Sequence, residues 1–542
     1  MLMKKSKWLA LAGVSLLSVG VLVACSSKSN TSSNTFNYVY NADPETLDYL
    51  ISNKGSTIDA VTNGVDGLLE NDKYGNLVPA IAKDWTVSAD GLTYTYKLRK
   101  GVKWYTSDGE EYAEVTAKDF VTGLKHAADK KTESIYLAKD SVVGLADYFN
   151  GTDKDFSKVG VKALDDYTLQ YTLKQPEPYW NSKMTYSLFW PVNEEFLKSK
   201  GDSFGKSTDP SSILYNGPYI LKSLTAKSSI ELAKNENYWD KKNVHYDGVK
   251  LSFFDGSDQE AQVRNFTDGA YSQARIYPTG SNFASVKKQY KDNIFYTQPS
   301  ADIVGVGVNI DRQSYNHTSK KTDAEKDSTK KALLNKDFRQ SINFSINRES
   351  YSAQINGEEG GVLAVRNLLV KPDFVYAGDK SFGDLVTEKM ASYGDEWSGV
   401  NLKDSQDGLF NVDKAKTEFN KAKEALQAQG VQFPIHLDMP VDQTAKTKVA
   451  RAQSLKQSVE ETLGKENVVV DLNQMSQDDL LNATLSAPNA AAEDWDITDS
   501  VAWAPDYEDP STYLDIFKTT ASENTKTYMG FDDPNNAAAA QV

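Results

Sequence analysis

The stretch 433–472, FPIHLDMPVDQTAKTKVARAQSLKQSVEETLGKENVVVDL, carries the pattern that decides the fold. Phe433 to Met439 reads as a strand. Val449, Ala452, Val459 and Leu463 line one face of a helix, and Val468 to Leu472 is a β-branched strand. Strand, helix, strand implies a βαβ unit with parallel strands, so this part of the chain is α/β.

Outward from that unit the helical texture continues. Ala415, Phe419, Ala422 and Leu426 recur at helical spacing, with Asp413 in the first turn and Gly430 at the end, which are the expected start and stop signals. Phe338, Ile342 and Ile346, with Arg339 and Arg348 among them, predict another helix. Between the two halves, His317 to Lys331 is polar and mixed in charge and reads as a solvated loop rather than a partner-binding run. Earlier in the chain the period changes to two. Phe36–Tyr40 runs into Asp43-Pro44, Thr93–Leu98 runs into Lys100-Gly101, and Tyr167–Leu173 runs into Pro176, giving three strands that end in turns. No repeat of 20 to 50 residues is present, which argues against a solenoid or propeller.

The 542 residues exceed what one core can hold, since single cores stop growing at roughly 250–300 residues, so at least two packed units are expected. The net charge of −15 and the absence of a basic stripe argue against a nucleic-acid partner. Aromatic residues reach 11%, with 29 tyrosines, which suits a ligand cleft without requiring one.

At the start, Lys4, Lys5 and Lys7 precede an apolar run from Trp8 to Ala24, the pattern of a signal segment over 1–24. The run is shorter than a membrane span and ends at Leu22-Val23-Ala24-Cys25. That ending resembles the bacterial lipobox, which implies a lipid on Cys25 and a location at the outer face of the cytoplasmic membrane. Cys25 is the single cysteine, so no intramolecular disulfide can form. Ser26 to Thr35 has no apolar residue and reads as a tether reaching about 17–19 Å.

Catalytic signals are missing. His126, His245, His317 and His436 have no metal-ligand spacing, each reading as a surface or satisfied histidine, and no metal or cofactor is expected. No nucleophile-elbow, Walker A or dinucleotide fingerprint occurs, and the adjacent acids Glu493-Asp494 read as a solvated pair, so an enzyme is not expected.

Residues 77–120 contain Leu77-Val78-Pro79-Ala80-Ile81-Ala82, Trp85 to Gly91, Leu98-Arg99-Lys100-Gly101-Val102-Lys103-Trp104 and Asp119-Phe120. Gly160 to Asp166, Asn216-Gly217-Pro218-Tyr219, Asn235 to Asp240, Phe338-Arg339-Gln340 and Trp503 to Pro510 follow in order. The series resembles the extracellular solute-binding proteins of the peptide/nickel ABC-importer class, and its texture is closest to the streptococcal Ami/Ali oligopeptide-binding lipoproteins. The resemblance implies a two-lobed periplasmic-binding-protein-like α/β fold with an extra subdomain, closing by hinge motion over a ligand. Lobe one would span 36–300 with an inserted subdomain at about 76–210, lobe two 301–492, and 493–542 would return to lobe one. Family members continue past Phe531-Asp532-Asp533-Pro534, so the C-terminal part of lobe one is expected to be incomplete.

The implied function is capture of oligopeptides for delivery to an ABC permease, by a monomer held at the membrane through its lipid. A peptide of arbitrary sequence is recognisable only through its backbone, amine and carboxylate. By resemblance Asp506 would pair with the amine, although by itself it also reads as a turn residue between Pro505 and Pro510. Trp503 and Tyr507 would line the site, Ala502, Trp503 and Ala504 would offer backbone groups, and Lys54, Gly55 and Ser56 would lie opposite. Ser500 stands where enteric relatives place a carboxylate-binding arginine, which implies tolerance of longer peptides, with Lys446 as a substitute cation. A surface adhesin or signalling lipoprotein on the same scaffold is the competing reading, and a hydrolase a third.

Overall fold

The structure, a computed structural model, describes residues 34–542 except 53, 298, 299, 391 and 521. Cys25, the signal segment and nearly all of the tether lie outside the described residues. Among the described residues no helix is long and apolar enough to cross a membrane.

Ordered structure begins with the strand Thr35–Tyr40, which pairs in parallel with Gly248–Phe253. The sheet continues antiparallel through Ser229–Lys234 and Tyr219–Thr225. A second, wholly antiparallel sheet is built from Ala82–Val87, Thr93–Leu98, Thr168–Thr172 and Val161–Asp165. Its logic is local. Tyr94, Tyr96 and Leu98 are buried while Thr95 and Lys97 alternate with them, and the hairpin turns at Asp90-Gly91, where Gly91 takes φ +71°.

The two sheets share one hydrophobic core, in which Trp104, Trp180, Tyr96 and Tyr171 are fully buried. The shared motif residues serve this scaffold. Asp119 closes a capping box on the helix Ala117–Asp129 and accepts from Trp104 Nε1 at 3.0 Å. Asp66 accepts from Tyr238 at 2.8 Å and Trp239 at 3.0 Å, and the Arg99 guanidinium lies 4.3 Å from the Trp239 ring. Burial pushes the Asp66 carboxyl up to about 7 and Asp119 to about 6, so these carboxylates are matched to donors rather than to solvent.

A separate core holds the second unit. The strands Ile435–Asp442 and Val468–Met475 run parallel, Ile435 opposite Val468, joined by the helix Lys446–Leu463, as the βαβ reading requires. Both strands run three residues farther than the sequence pattern indicates. The helix Val412–Ala428 is capped by the Asn411 side chain and buries Ala415, Phe419, Ala422 and Leu426, with Gly430 at φ +75° beyond it. The helix Lys336–Ser345 buries Phe338 and Ile342, but Ile346 lies just past its end and Arg348 begins a new helix.

The reading of 317–331 as a solvated loop is corrected. Thr322 caps a helix, Asp323–Leu334, in a reciprocal box with Glu325. Lys320 is completely buried against Asp438 and Asp496. Apolar periodicity misses this segment because charge pairing holds its Lys320 end, while the helix is anchored in the second core only by Ala332 and Leu333 in its last turn.

Residues 493–542 pack mainly with the second unit. The strand Ile497–Trp503 pairs antiparallel with Ile303–Val308, Ile497 joins the second core, and Phe531 and Ala538 pack on Ile310. From this segment the loop 505–508 reaches across to the first unit, at Tyr136, Tyr179, Ser182 and Tyr186.

Candidate functional site

Where that loop meets the first unit, a cavity of about 380 Å³ opens, within the range of roughly 300–1,000 Å³ usual for small-ligand sites. Ile58, Thr62, Ser134, Tyr136 and the segment around Tyr186 form one wall, and Phe374 with Pro505 to Glu508 forms the other. The loop is set by its sequence. After the strand ends, the Asp506 backbone N–H donates to Thr512 Oγ1 at 2.8 Å, and Pro510 leads into a helical turn, Ser511–Leu514. Asp506 is thus both a turn residue and a cavity residue.

Its side chain faces phenols from the other unit. Asp506 Oδ1 accepts from Tyr136 Oη at 3.0 Å and from Tyr186 Oη at 3.4 Å. Burial pushes the carboxyl up, while the two phenols and the more distant charge of Lys183 pull it back. Burial, then the Asp506 charge, drives both phenols well above the ordinary tyrosine range, so they remain donors. Lys183 is buried and committed to Glu177 at 2.9 Å. A carboxylate with neutral donors and no cation at contact distance among the described residues is prepared for a cationic group, such as an ammonium.

Tyr507 lines the same cavity and stacks on Tyr179, with ring centroids 4.4 Å apart and planes 17° from parallel. The Glu508 N–H donates to Ser182 Oγ at 3.1 Å. Three consecutive residues of one loop therefore each contact the opposite unit.

The other residues singled out from sequence lie around this cavity rather than in its wall. Ala502 and Trp503 sit on the strand before the loop, opposite Val304 and Ile303. Ala502 O accepts from Tyr528 at 2.8 Å, and Trp503 Nε1 donates to Thr512 O at 2.9 Å with its ring packed near Ile303, Val370 and Tyr513. Ala504 is exposed. Lys54, Gly55 and Ser56 open the helix Gly55–Val61, whose later residue Ile58, followed by Thr62, reaches the cavity instead; Lys54 pairs with Glu45 at 2.5 Å. Ser500 lies on the strand, and Lys446, exposed at the start of its helix, is not among the cavity residues.

Sequence reasoning missed Tyr136, Tyr179 and Tyr186. Their one trace was the high tyrosine content, which names no position.

No group of His, Cys, Asp and Glu among the described residues is placed to hold a metal. His126 meets Asp48 at 2.7 Å, His317 meets Asp494 at 2.9 Å and His436 meets Asp471 at 2.8 Å, so these three histidines have carboxylate partners.

The solvated reading of Glu493-Asp494 is corrected, because both are buried. Asp494 receives Arg312 at 2.8 Å, while Glu493 accepts from Trp495 Nε1, and burial pushes its carboxyl up to about 8. Folded, Glu493 keeps its proton far above its ordinary value of 4.5. Its stabilising contribution is therefore complete below about 4.5 and lost as pH rises to about 8. Glu493→Gln should gain stability on the parent protein across that window and hold a constant difference above it, read from urea midpoints at a series of pH values.

Residues 76–525 match the family described as bacterial extracellular solute-binding proteins, family 5 Middle. The oligopeptide-binding protein AmiA of Streptococcus pneumoniae is 67% identical over 543 residues, covering 100% of this chain and 82% of that protein. The oligopeptide-binding protein SarA of Streptococcus gordonii is 62% identical with the same coverage, 100% and 82%. The substrate-binding domain of an oligopeptide ABC transporter from Bacillus anthracis superposes with a TM-score of 0.64 at 25% identity, over 92% of this chain and 84% of that one. The pheromone receptor PrgZ, at 22% identity and a TM-score of 0.64, covers 92% and 86% and shares the fold.

Proposed function

Because this chain belongs to the bacterial extracellular solute-binding proteins of family 5, we propose that it captures oligopeptides outside the cell and hands them to an ABC importer. The names of its streptococcal relatives support the ligand class. The observation that carries the reading is Asp506: a largely buried carboxylate in a cavity between two units, held by neutral phenols and open to an ammonium. In this reading Asp506 binds the peptide amine and Tyr136 and Tyr186 orient it. Tyr507 closes the wall, and Ala502, Trp503 and Ala504 supply backbone and shape next to it. Lys54, Gly55 and Ser56 belong to the rim opposite.

In this reading lobe one spans 36–300 and lobe two 301–492, while 493–542, expected from sequence to return to lobe one, packs on the second unit and brings the 505–508 loop to the site. A monomer anchored through a diacylglyceryl group on Cys25 would keep this cleft beside its permease, since two acyl chains suffice for stable attachment. The protein binds without turnover.

The test is calorimetry with a mixed set of six- to ten-residue peptides on the purified protein, followed by mass spectrometry of the recovered ligand. Saturable binding with every peptide recovered intact is expected. Heat without saturation, or cleaved peptide, would overturn the reading.

A further inference from the structure

The charge around the cavity is one-sided. It is lined by two carboxylates, Asp506 and Glu508, and by hydroxyls of Ser134, Ser182, Thr185 and Ser187, and no lysine or arginine lines it among the described residues. Lys183, whose charge reaches Asp506, is spent on Glu177. The loop adds Asp509 and Asp515 behind the wall, and Asp515 is partly offset by Lys518 at 2.7 Å.

Asp506 and Glu508 play different parts. Asp506 is held by two phenols and is largely shielded. Glu508 is exposed and anchored through its backbone N–H to Ser182, which leaves its carboxylate as the freer negative charge at the cavity. Asp506 and Glu508 stand two residues apart in the loop and line the same cavity, and backbone positions two apart in any chain lie no more than about 7 Å from each other. A bound amine at Asp506 therefore leaves Glu508 within reach of a long side chain from the first or second peptide residue.

We infer that Glu508 is a specificity-determining residue that selects peptides with a lysine or arginine in the first two positions and rejects those with an acid there. The inference rests on the peptide-binding reading, with Asp506 as the amine site. Because the two charges are partly solvated, the selectivity is moderate and salt-sensitive, as for charge pairs at a protein surface.

The experiment titrates the full chain with four otherwise identical nonapeptides of alanine and glycine, carrying Lys, Arg, Ala or Glu at position two, and repeats the set with Glu508→Gln. The parent protein should bind the Lys and Arg peptides about tenfold more tightly than the Glu peptide at low salt, with the Ala peptide between. At about 0.5 M NaCl the spread should shrink several-fold. In Glu508→Gln it should collapse to within about twofold. If the Ala peptide binds and the parent shows no spread, or if the spread persists in Glu508→Gln, the inference is overturned while peptide binding stands. If none of the four binds, the peptide-binding reading itself fails.

Discussion

Asp506→Ala should weaken peptides with a free N-terminus on the order of 100-fold or more, while N-acetylated versions of the same peptides change little. The size follows from what is removed. Truncating one partner of a desolvated, hydrogen-bonded charge pair costs roughly 2–5 kcal/mol, and each 1.4 kcal/mol is tenfold in affinity. Asp506 is largely out of water and already accepts from Tyr136 and Tyr186, so an ammonium arriving there meets an oriented acceptor. Asp506→Asn separates charge from shape, because it keeps an acceptor for the phenols and loses the negative charge; it should behave like Asp506→Ala toward free amines. Calorimetry on paired free and acetylated peptides reads both effects, and equal losses for the two would remove the amine role. A pH dependence accompanies them. Burial holds the free carboxyl above its ordinary value of 3.8, and only the ionised form pairs with an ammonium. Affinity should be complete above the free protein's value and fall as pH drops through it, a slope absent from Asp506→Asn.

The second large effect lies in the buried ion cluster that supports the same strand. Arg312 reaches Asp438 at 2.7 Å, Asp494 at 2.8 Å and Asp496 at 2.9 Å, and Lys320 reaches Asp438 at 2.7 Å and also Asp496. Thr318 Oγ1 donates to Asp438 at 2.7 Å and the Ser319 N–H at 2.9 Å. Although burial opposes it, the Lys320 ammonium together with these donors holds the Asp438 carboxyl well below the usual range. Arg312 and Lys320, with the His317 ring beside Asp494, stand against three almost wholly buried carboxylates, so the cluster tolerates no further loss of positive charge. Lys320→Met should destabilise the protein by about 3–5 kcal/mol, the usual cost of stripping one partner from a buried pair. Thermal unfolding should register this as a fall on the order of 10 °C, given roughly 2–4 °C per kcal/mol for a unit of this size. Lys321→Met, at the exposed neighbouring position, should leave the midpoint within about 2 °C. A small shift for Lys320→Met would mean that the cluster relaxes or admits water. Because Asp494 and Asp496 lead directly into the strand Ile497–Trp503, the Lys320 variant should also loosen the Asp506 loop and weaken peptide binding.

Local pattern reached a long way into this chain. Tyr94, Tyr96 and Leu98 alternate in sequence and alternate in burial, and Ala415, Phe419, Ala422 and Leu426 recur at helical spacing and share one buried face. The βαβ unit was legible for the same reason, since its strands and helix are each defined by neighbours a few residues away. The polar segment 317–331 was not, because its partners come from Asp438, Asp494 and Asp496, more than a hundred residues downstream. Ile346 was misread by one position, where the Asn347 cap starts a new helix. Shared motifs named the family, yet many of their residues, such as Asp119, Trp104 and Trp239, hold the scaffold together rather than forming the cavity wall.

Of the site, sequence by itself determined that Asp506 stands in a proline-bounded turn, and resemblance alone suggested an amine partner for it. Only the tertiary structure decided what surrounds that carboxylate. Tyr136 lies 370 positions earlier and Tyr186 lies 320 positions earlier, and the cavity, the Tyr179–Tyr507 stack and the exposed charge of Glu508 exist only once the two units meet. The physical reason is range. Periodicity, capping and turn chemistry act over a few residues and are written in the order of the chain, whereas desolvation and charge pairing act through space and depend on whatever folding brings within a few ångströms.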